Sequence, residues 1–275
     1  MSRILMIDPE EHLLKGLLCS AALAGHEIVA AAGDVDALRR LCFGAFDVVL
    51  TSPATTVEED LVLLDEIRRI RPGVRTIVLT ERAAREDVIA ALSARVFALF
   101  SRPFDAGDLA TMVSGAAASA PGHDGILILS AVPDWVAVRL DCSLLTAERL
   151  LRFISELRSE VPGTDREGLL LAYREVLLSA IDHGAGRASG KLVDVAAVRT
   201  RRAIVFYVRS PGLGFDVPRL PAGIAEDGTV LAELAGHEDE LGGAEAYRLL
   251  VARAIVDEMI YNERADEVIL IKHTA

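Results

Sequence analysis

Short apolar runs alternate with longer segments of helical period through the first 117 residues, and this alternation restricts the possible folds most strongly. Five runs rich in Ile, Leu and Val have the length of buried strands, and they lie at residues 4–7, 27–31, 47–50, 75–79 and 97–100. The intervening and following segments carry apolar side chains at helical spacing, and they lie at residues 11–24, 35–43, 61–70, 85–93 and 106–117. The alternation predicts an α/β fold with a doubly wound five-stranded parallel sheet, in which ligands bind at the carboxyl ends of the strands.

The second half of the chain has strands and helices that do not alternate strictly. The predicted strands lie at residues 125–130, 135–140, 192–198, 203–209 and 268–272, and the predicted helices at 147–157, 166–183 and 244–259. This order favours an α+β sandwich, with helices on one face of a largely antiparallel sheet. Small and flexible residues near position 118 separate the two halves, so we predict a first domain over 1–117, a linker over 118–133 and a second domain over 134–275.

The charge and the cysteine content narrow the functional class. The formal net charge is −12, which disfavours a nucleic-acid partner because phosphate backbones are also negative. Cys19, Cys42 and Cys142 are scattered, a pattern that favours neither a disulfide framework nor a metal site and suits a reducing compartment. No apolar run reaches the roughly 18 residues that a membrane span needs. We therefore expect a cytoplasmic protein without a membrane partner, a nucleic-acid partner or a bound metal.

The first half resembles the receiver domain of two-component response regulators over its whole length. In that family, acids at the strand ends hold Mg²⁺, and one aspartate accepts a phosphoryl group. The resemblance matches Asp8 to the first acid and Thr80 to the hydroxyl that senses the phosphoryl group. It also shows three replacements: Pro9 stands for the second acid, Ser52 for the acceptor aspartate and Arg102 for the phosphate-contacting lysine.

These replacements predict a pseudo-receiver that does not transfer phosphoryl groups. One remaining carboxylate is too little for a divalent cation, because Mg²⁺ requires several hard oxygen ligands. Arg102 could form an internal ion pair with Asp8 instead. Two interpretations of the pocket stay open: a purely structural role, or a pocket in which Ser52 is modified by a kinase or another ligand binds.

Residues 173–184 resemble the first nucleotide box of the GHKL ATPases, in the style of the anti-sigma-factor serine kinases. In that family a helix offers a glutamate as general base and, four residues later, an asparagine that holds Mg²⁺ against ATP. A spacing of four puts both side chains on one helical face. The resemblance makes Glu175 the candidate base, puts Ser179 in place of the asparagine, and matches His183 and Gly184 to the closing His-Gly pair.

The second box of the same family is a Gly-x-Gly loop that follows an aspartate. Gly212 and Gly214 are retained, and glycine lets a backbone approach a ligand closely. Ser210 replaces the aspartate that binds the adenine amino group, and Glu245 stands where a phosphate-cradling glycine turn belongs. The boxes and the following sequence imply a GHKL-like fold over residues 134–273 with a weakened nucleotide pocket.

Our leading hypothesis is a bacterial signalling regulator that acts through protein–protein interaction, with a phosphorylation-incompetent receiver and a degenerate nucleotide pocket. The resemblances imply a signalling partner (a kinase, a sigma factor or an anti-sigma antagonist, as in partner switching) and a homodimer. We expect no cofactor, with ATP and Mg²⁺ bound weakly at most. The alternative is an enzyme: an ATP-dependent serine kinase and anti-sigma factor that phosphorylates an antagonist protein, with Glu175 as base.

Overall fold

A computed structural model of the chain describes residues 2–8, 23–119, 124–157, 163–184, 190–212, 214–215 and 244–274. It divides into two compact units, Met1–Asp124 and Gly125–Ala275. The strands of the first unit are β1 (Arg3–Ile7), β2 (Glu27–Ala31), β3 (Val48–Leu50), β4 (Arg75–Thr80) and β5 (Ala98–Ser101). Its helices are α1 (Asp34–Phe43), α2 (Val57–Ile70), α3 (Arg85–Ser93) and α4 (Ala106–Ala118).

The sheet of the first unit has the order β2-β1-β3-β4-β5, and all its pairs are parallel. Val48, Val49 and Leu50 of the central strand are fully buried, as expected where helices cover both faces of a parallel sheet. The predicted five-stranded parallel sheet is confirmed. The helix predicted over residues 11–24 lies outside the described residues except at its C-terminal end.

The second helix of this unit begins four residues before its predicted start at residue 61. A capping box sets the earlier start: Glu59 N–H donates to Thr56 Oγ1 at 3.3 Å, and Thr56 N–H donates to the Glu59 carboxylate at 2.9 Å. These reciprocal bonds satisfy backbone donors that a helix N-terminus otherwise leaves open. They also fix the residue at which the loop that carries Ser52 ends and α2 begins.

The strands described in the second unit are β6 (Ile126–Val132), β7 (Trp135–Asp141), β8 (Leu192–Arg199), β9 (Ala203–Arg209), β10 (Glu258–Tyr261) and β11 (Glu267–His273). Its helices are α5 (Leu144–Leu157), α6 (Gly163–Ser179) and α7 (Ala244–Ile255), and α6 continues into a π-helical segment, Ala180–Gly184. In the described parts of the chain, no helix combines the length and the apolar character needed to cross a bilayer.

The second sheet has the order β10-β11-β9-β8-β7-β6, and every neighbouring pair is antiparallel. Alternate residues of β9, namely Ile204, Phe206 and Val208, are buried on the face that packs against the helices. The ring of Tyr173 on α6 stacks on Phe206, with the centroids 4.0 Å apart. Because α6 also packs against α5 and α7, one helical layer covers one face of the predicted antiparallel sheet.

Two predicted boundaries differ from the structure. The linker predicted over residues 118–133 includes β6, which pairs with β7, so the second unit begins at Gly125. The helix predicted through residue 259 ends at Ile255, and the following residues form β10 at the edge of the sheet. The helical pattern of apolar residues continues past Ile255, but pairing with β11 determines the conformation there.

Candidate functional site

The carboxyl ends of three neighbouring strands bring together Asp8, Ser52 and Thr80. Asp8 follows β1, Ser52 lies two residues after β3, and Thr80 ends β4. All three residues are buried. The parallel order therefore gathers these predicted pocket residues at one edge of the sheet, whereas Pro9 lies outside the described residues.

The side chain of Ser52 forms a hydrogen bond within its own loop. Its side-chain Oγ accepts a hydrogen bond from Ala54 N–H at 3.2 Å, and its carbonyl oxygen lies 2.6 Å from Thr55 Oγ1. The residue is only 5% exposed. A serine hydroxyl that binds the backbone two residues later stabilises a tight turn, so the hydroxyl at the acceptor position has a local structural partner.

The basic residue of the pocket lies at the surface. The Arg102 guanidinium is about half exposed, and its Nε lies 3.2 Å from Glu81 Oε1. The internal pair with Asp8 that the sequence suggested is thus replaced by a surface pair with Glu81, because the long arginine side chain extends from the sheet edge towards solvent. An exposed pair of this kind contributes about 0–1 kcal/mol to stability. Thr80 Oγ1 donates to the carbonyl oxygen of Arg82 at 3.3 Å.

Sequence reasoning missed the buried carboxylate beside this pocket, Asp60. It lies in the first turn of α2, is 2% exposed, and contacts Thr51 Oγ1 at 2.7 Å and Thr55 Oγ1 at 2.8 Å. Burial raises the pKa of Asp60 to about 6, and the hydrogen bonds from the two threonines only partly oppose this shift. Acids in the first turn of a helix are ordinarily exposed and favourable. The signal for burial is the helical spacing of Asp60 with Val57, Leu64 and Ile67, which a predicted helix start at residue 61 leaves out.

The candidate base of the second unit, Glu175, lies between two guanidinium groups. Arg174 Nη1 is 3.4 Å from Glu175 Oε1, and Arg248 Nε is 3.6 Å from Glu175 Oε2. Arg248 Nη1 also lies 2.8 Å from Asp182 Oδ2. Arg248 on α7 therefore bridges two carboxylates of α6 and its π-helical extension, at the position where the glycine turn was expected. Ser179, one turn after Glu175, is fully buried.

Both carboxylate oxygens of Glu175 thus face a cation, and the side chain is 14% exposed. His183 and Gly184 end the π-helical segment, and the side chains of His183 and Glu245 lie outside the described residues.

The Gly-x-Gly segment packs against the turn between β10 and β11. Ser210 N–H donates to Asp266 O at 2.8 Å, and Gly212 N–H donates to Ser210 Oγ at 3.4 Å. Gly214 has a φ of +98°, and a Cβ at this position would lie 2.7 Å from Ala265 O. We predicted that these glycines let the backbone approach a ligand closely. At Gly214 the structure shows a close approach to the protein's own backbone at Ala265.

The side chains of the described residues do not form a metal site. Among them, no three His, Cys, Asp or Glu residues are clustered closely enough to hold an ion. Of the acids that the structure describes in the first unit, Asp8 and Asp60 are buried. The absence of phosphotransfer and of a cofactor stays a prediction.

No protein-family model matches the chain. Two curated proteins are similar to part of it: the transcriptional regulatory protein GlrR of Escherichia coli (strain K12) and the transcriptional regulatory protein QseF of Escherichia coli O157:H7. Each is 28% identical over 124 residues, which is 45% of this chain and 28% of the relative. The match therefore spans little more than a quarter of the length of these relatives.

Two solved structures are also similar to part of the chain. A response regulator receiver domain protein (CheY-like) from Methanospirillum hungatei JF-1 is 24% identical, with a TM-score of 0.37, over 42% of this chain and 92% of that chain. A response regulator receiver domain protein from Clostridium thermocellum is 26% identical, with a TM-score of 0.37, over 42% of this chain and 94% of that chain.

The second unit's resemblance to the GHKL ATPases stays a prediction. For the first unit, three observations agree: the similarity in sequence to the two regulators, the strand order β2-β1-β3-β4-β5, and the meeting of Asp8, Ser52 and Thr80 at one sheet edge. Together they agree with the receiver-like parallel α/β fold that the sequence predicts for the N-terminal part of the chain.

Proposed function

We propose that this chain is a bacterial cytoplasmic signalling regulator that acts by binding other proteins. In this proposal its receiver unit does not accept a phosphoryl group, and its second unit is a GHKL-like domain that does not depend on nucleotide. The observation that carries the proposal is the burial of Ser52, with its hydroxyl bound inside its own loop, at the position of the receiver phosphoacceptor.

The chemistry of Ser52 supports the loss of phosphotransfer. An alcohol is a weak nucleophile at neutral pH unless a neighbouring base takes its proton. Ser52 Oγ accepts from Ala54 N–H, and the carboxyl group of Asp60 is bound by Thr51 and Thr55 rather than by Ser52. A pocket of this kind keeps its shape, and with it the outer surface that a partner recognises.

The ion pairs of the second unit support a role without nucleotide. Arg248 is paired with Glu175 and Asp182, so its charge reaches ATP phosphates only if these pairs are broken. In addition, Gly214 is needed for packing against Ala265, which explains its presence without a ligand. The partner classes that follow from the resemblance are a kinase, a sigma factor and an anti-sigma antagonist.

A second copy of the chain is a further proposed partner. The strand β6 is an edge strand of the second sheet, and Leu127, Leu129 and the neighbouring Trp135 are 49%, 54% and 52% exposed. Exposed apolar side chains grouped on a sheet edge favour association, and two-fold symmetry is the commonest closed arrangement.

Labelling with acetyl phosphate and Mg²⁺ tests the receiver unit in the full chain. We expect no acid-labile phosphoryl group by intact mass spectrometry, because Ser52 lacks the carboxylate that forms it. Ser52→Asp is the matched variant, since labelling of that variant alone assigns the loss to this residue. Acid-labile labelling of the unaltered chain would overturn the proposal.

Titration calorimetry with Mg-ATP tests the second unit. We expect no heat of binding at micromolar nucleotide. Micromolar affinity that Glu175→Ala abolishes would instead make the serine kinase the leading function, with an antagonist protein as its substrate.

A further inference from the structure

The loop that carries Ser52 is joined to α2 through one buried carboxyl group, that of Asp60. Leu79 N–H donates to Thr51 Oγ1 at 3.0 Å, and Thr51 Oγ1 in turn lies 2.7 Å from Asp60 Oδ2. On the other side, Asp60 Oδ1 lies 2.8 Å from Thr55 Oγ1, which lies 2.6 Å from Ser52 O. The carboxyl group therefore connects β4, the Ser52 loop and α2.

The hydroxyl protons available to these hydrogen bonds around Asp60 can be counted. Thr51 Oγ1 already accepts from Leu79 N–H, so its single hydroxyl proton is free for Asp60 Oδ2. Thr55 Oγ1 has one proton but contacts two oxygens, those of Ser52 O and Asp60 Oδ1. If Asp60 is ionised, three oxygen–oxygen contacts share two hydroxyl protons, and one contact between lone pairs has no proton.

A proton on Asp60 Oδ1 supplies the missing hydrogen bond. Asp60 Oδ1–H then donates to Thr55 Oγ1, and Thr55 Oγ1–H donates to Ser52 O, while Thr51 still donates to Asp60 Oδ2. We infer that Asp60 is protonated in the folded protein in mildly acidic solution, that this proton closes the Ser52 loop onto α2, and that its loss to solvent loosens the loop.

The surroundings of Asp60 favour the same protonation state. Burial is the main cause that raises its pKa to about 6. Among the residues that the structure describes, the charged groups that act on it are Asp34 at the start of α1 and Glu59 on α2, and both are acids that raise the pKa further. An unpaired buried carboxylate is costly, so neutralisation is the ordinary response of such a group.

The sign of the pH dependence follows from the raised pKa. Asp60 binds its proton more tightly in the folded protein than in the unfolded chain, where the ordinary value is 3.8. Its contribution to stability is therefore fully present below pH 3.8 and is lost as the pH rises through about 6. The loop is closed in mildly acidic solution and opens more often in neutral solution.

The titration of Asp60 in the full chain, labelled with ¹³C at the aspartate carboxyl groups, tests the first half of this inference. Asp60→Asn identifies the resonance by its disappearance. We expect a midpoint at about pH 6, and a midpoint at about pH 4 would overturn the inference.

Amide hydrogen exchange at Ala54 and Thr55 tests the second half. Protection of these amides should fall by about tenfold between pH 5 and pH 8, after correction for the intrinsic exchange rate. This factor is the share of the pH dependence that lies above pH 5 when the pKa drops from about 6 in the closed loop to 3.8 in the open loop.

Asp60→Asn is also the matched control for exchange. Its amide oxygen accepts from Thr51 and its amide nitrogen donates to Thr55, so the variant copies the protonated acid and should keep the loop closed at every pH. Thr55→Val removes the hydroxyl link and should leave the loop loose at every pH. A pH-dependent loss of protection that persists in Asp60→Asn would belong to another group and would overturn the inference.

Discussion

Replacing Gly214 with alanine should lower the free energy of unfolding of the second unit by about 3 kcal/mol. Gly214 has a φ of +98°, and an added Cβ would lie 2.7 Å from Ala265 O and 3.0 Å from Arg264 O. The left-handed backbone costs an L-residue about 1–2 kcal/mol. Displacing the atoms that crowd an added methyl group in a packed site costs typically about 1–3 kcal/mol more.

Urea unfolding followed by the fluorescence of Trp135 is the assay. Trp135 is the one tryptophan of the chain and lies in β7, so the signal reports on the second unit separately from the first. With a denaturant slope of about 2 kcal/mol per molar urea, the midpoint for Gly214→Ala should fall by about 1.5 M. Gly190→Ala is the matched control, because Gly190 has a φ of +87° and an added Cβ would meet nothing within 4 Å. Its midpoint should fall by about 0.5–1 M, since only the backbone term applies.

Equal midpoint shifts for the two variants would refute the reasoning, because the contact with the β10–β11 turn would then contribute nothing. The measurement requires no nucleotide. If instead Gly214→Ala altered stability only when Mg-ATP was present, the glycine would serve ligand approach, as its motif predicts.

Three further outcomes are expected. Arg248→Met should destabilise the second unit by about 2 kcal/mol in the same urea assay, because it leaves the carboxylates of Glu175 and Asp182 without their shared cation, and adding Glu175→Gln should recover part of the loss. Light scattering should give the mass of a dimer for the unaltered chain and of a monomer for Leu129→Glu; a monomer mass for the unaltered chain over a wide concentration range would contradict the homodimer. NMR titration should show that Asp36 stays ionised down to about pH 2, because hydrogen bonds from two arginines of α1 hold its pKa at about 2. The stabilising effect of these contacts is present above pH 3.8 and is lost as the pH falls through about 2.

The first unit was predictable because buried parallel strands need contiguous apolar residues. The run that contains Val48, Val49 and Leu50 was predicted to be a buried strand, and residues that follow parallel strands are expected to meet at one edge of the sheet. The positions of Asp8, Ser52 and Thr80 follow from that rule alone. The early start of α2 was also encoded, since Thr56 and Glu59 have the spacing of a capping box.

The side-chain contacts of the two candidate sites were not predictable in this way. Asp60 has the helical spacing of the buried Val57, Leu64 and Ile67, but a helix predicted to begin at residue 61 does not include it, and its hydrogen bonds depend on how the Ser52 loop folds. Arg248 and Asp182 lie on elements far apart in sequence, and no local pattern sets the distance between them. The edge strand β10 was hidden for a related reason: its residues continue a helical pattern, and only the partner β11 makes the extended form favourable.

The strand order of the second sheet also sets the sequence in which a growing chain is able to fold. Val208 of β9 pairs on one side with Val195, across a short turn, and on the other with Val268, which is made much later. Local hairpins close quickly, whereas pairing across a long loop has a larger entropic cost. During synthesis β9 is therefore expected to remain an open edge until β11 leaves the ribosome, long after the first sheet has received its last strand at Ser101. An apolar edge of this kind is prone to pair with other chains, so a chaperone is most useful to this protein in the interval between β9 and β11.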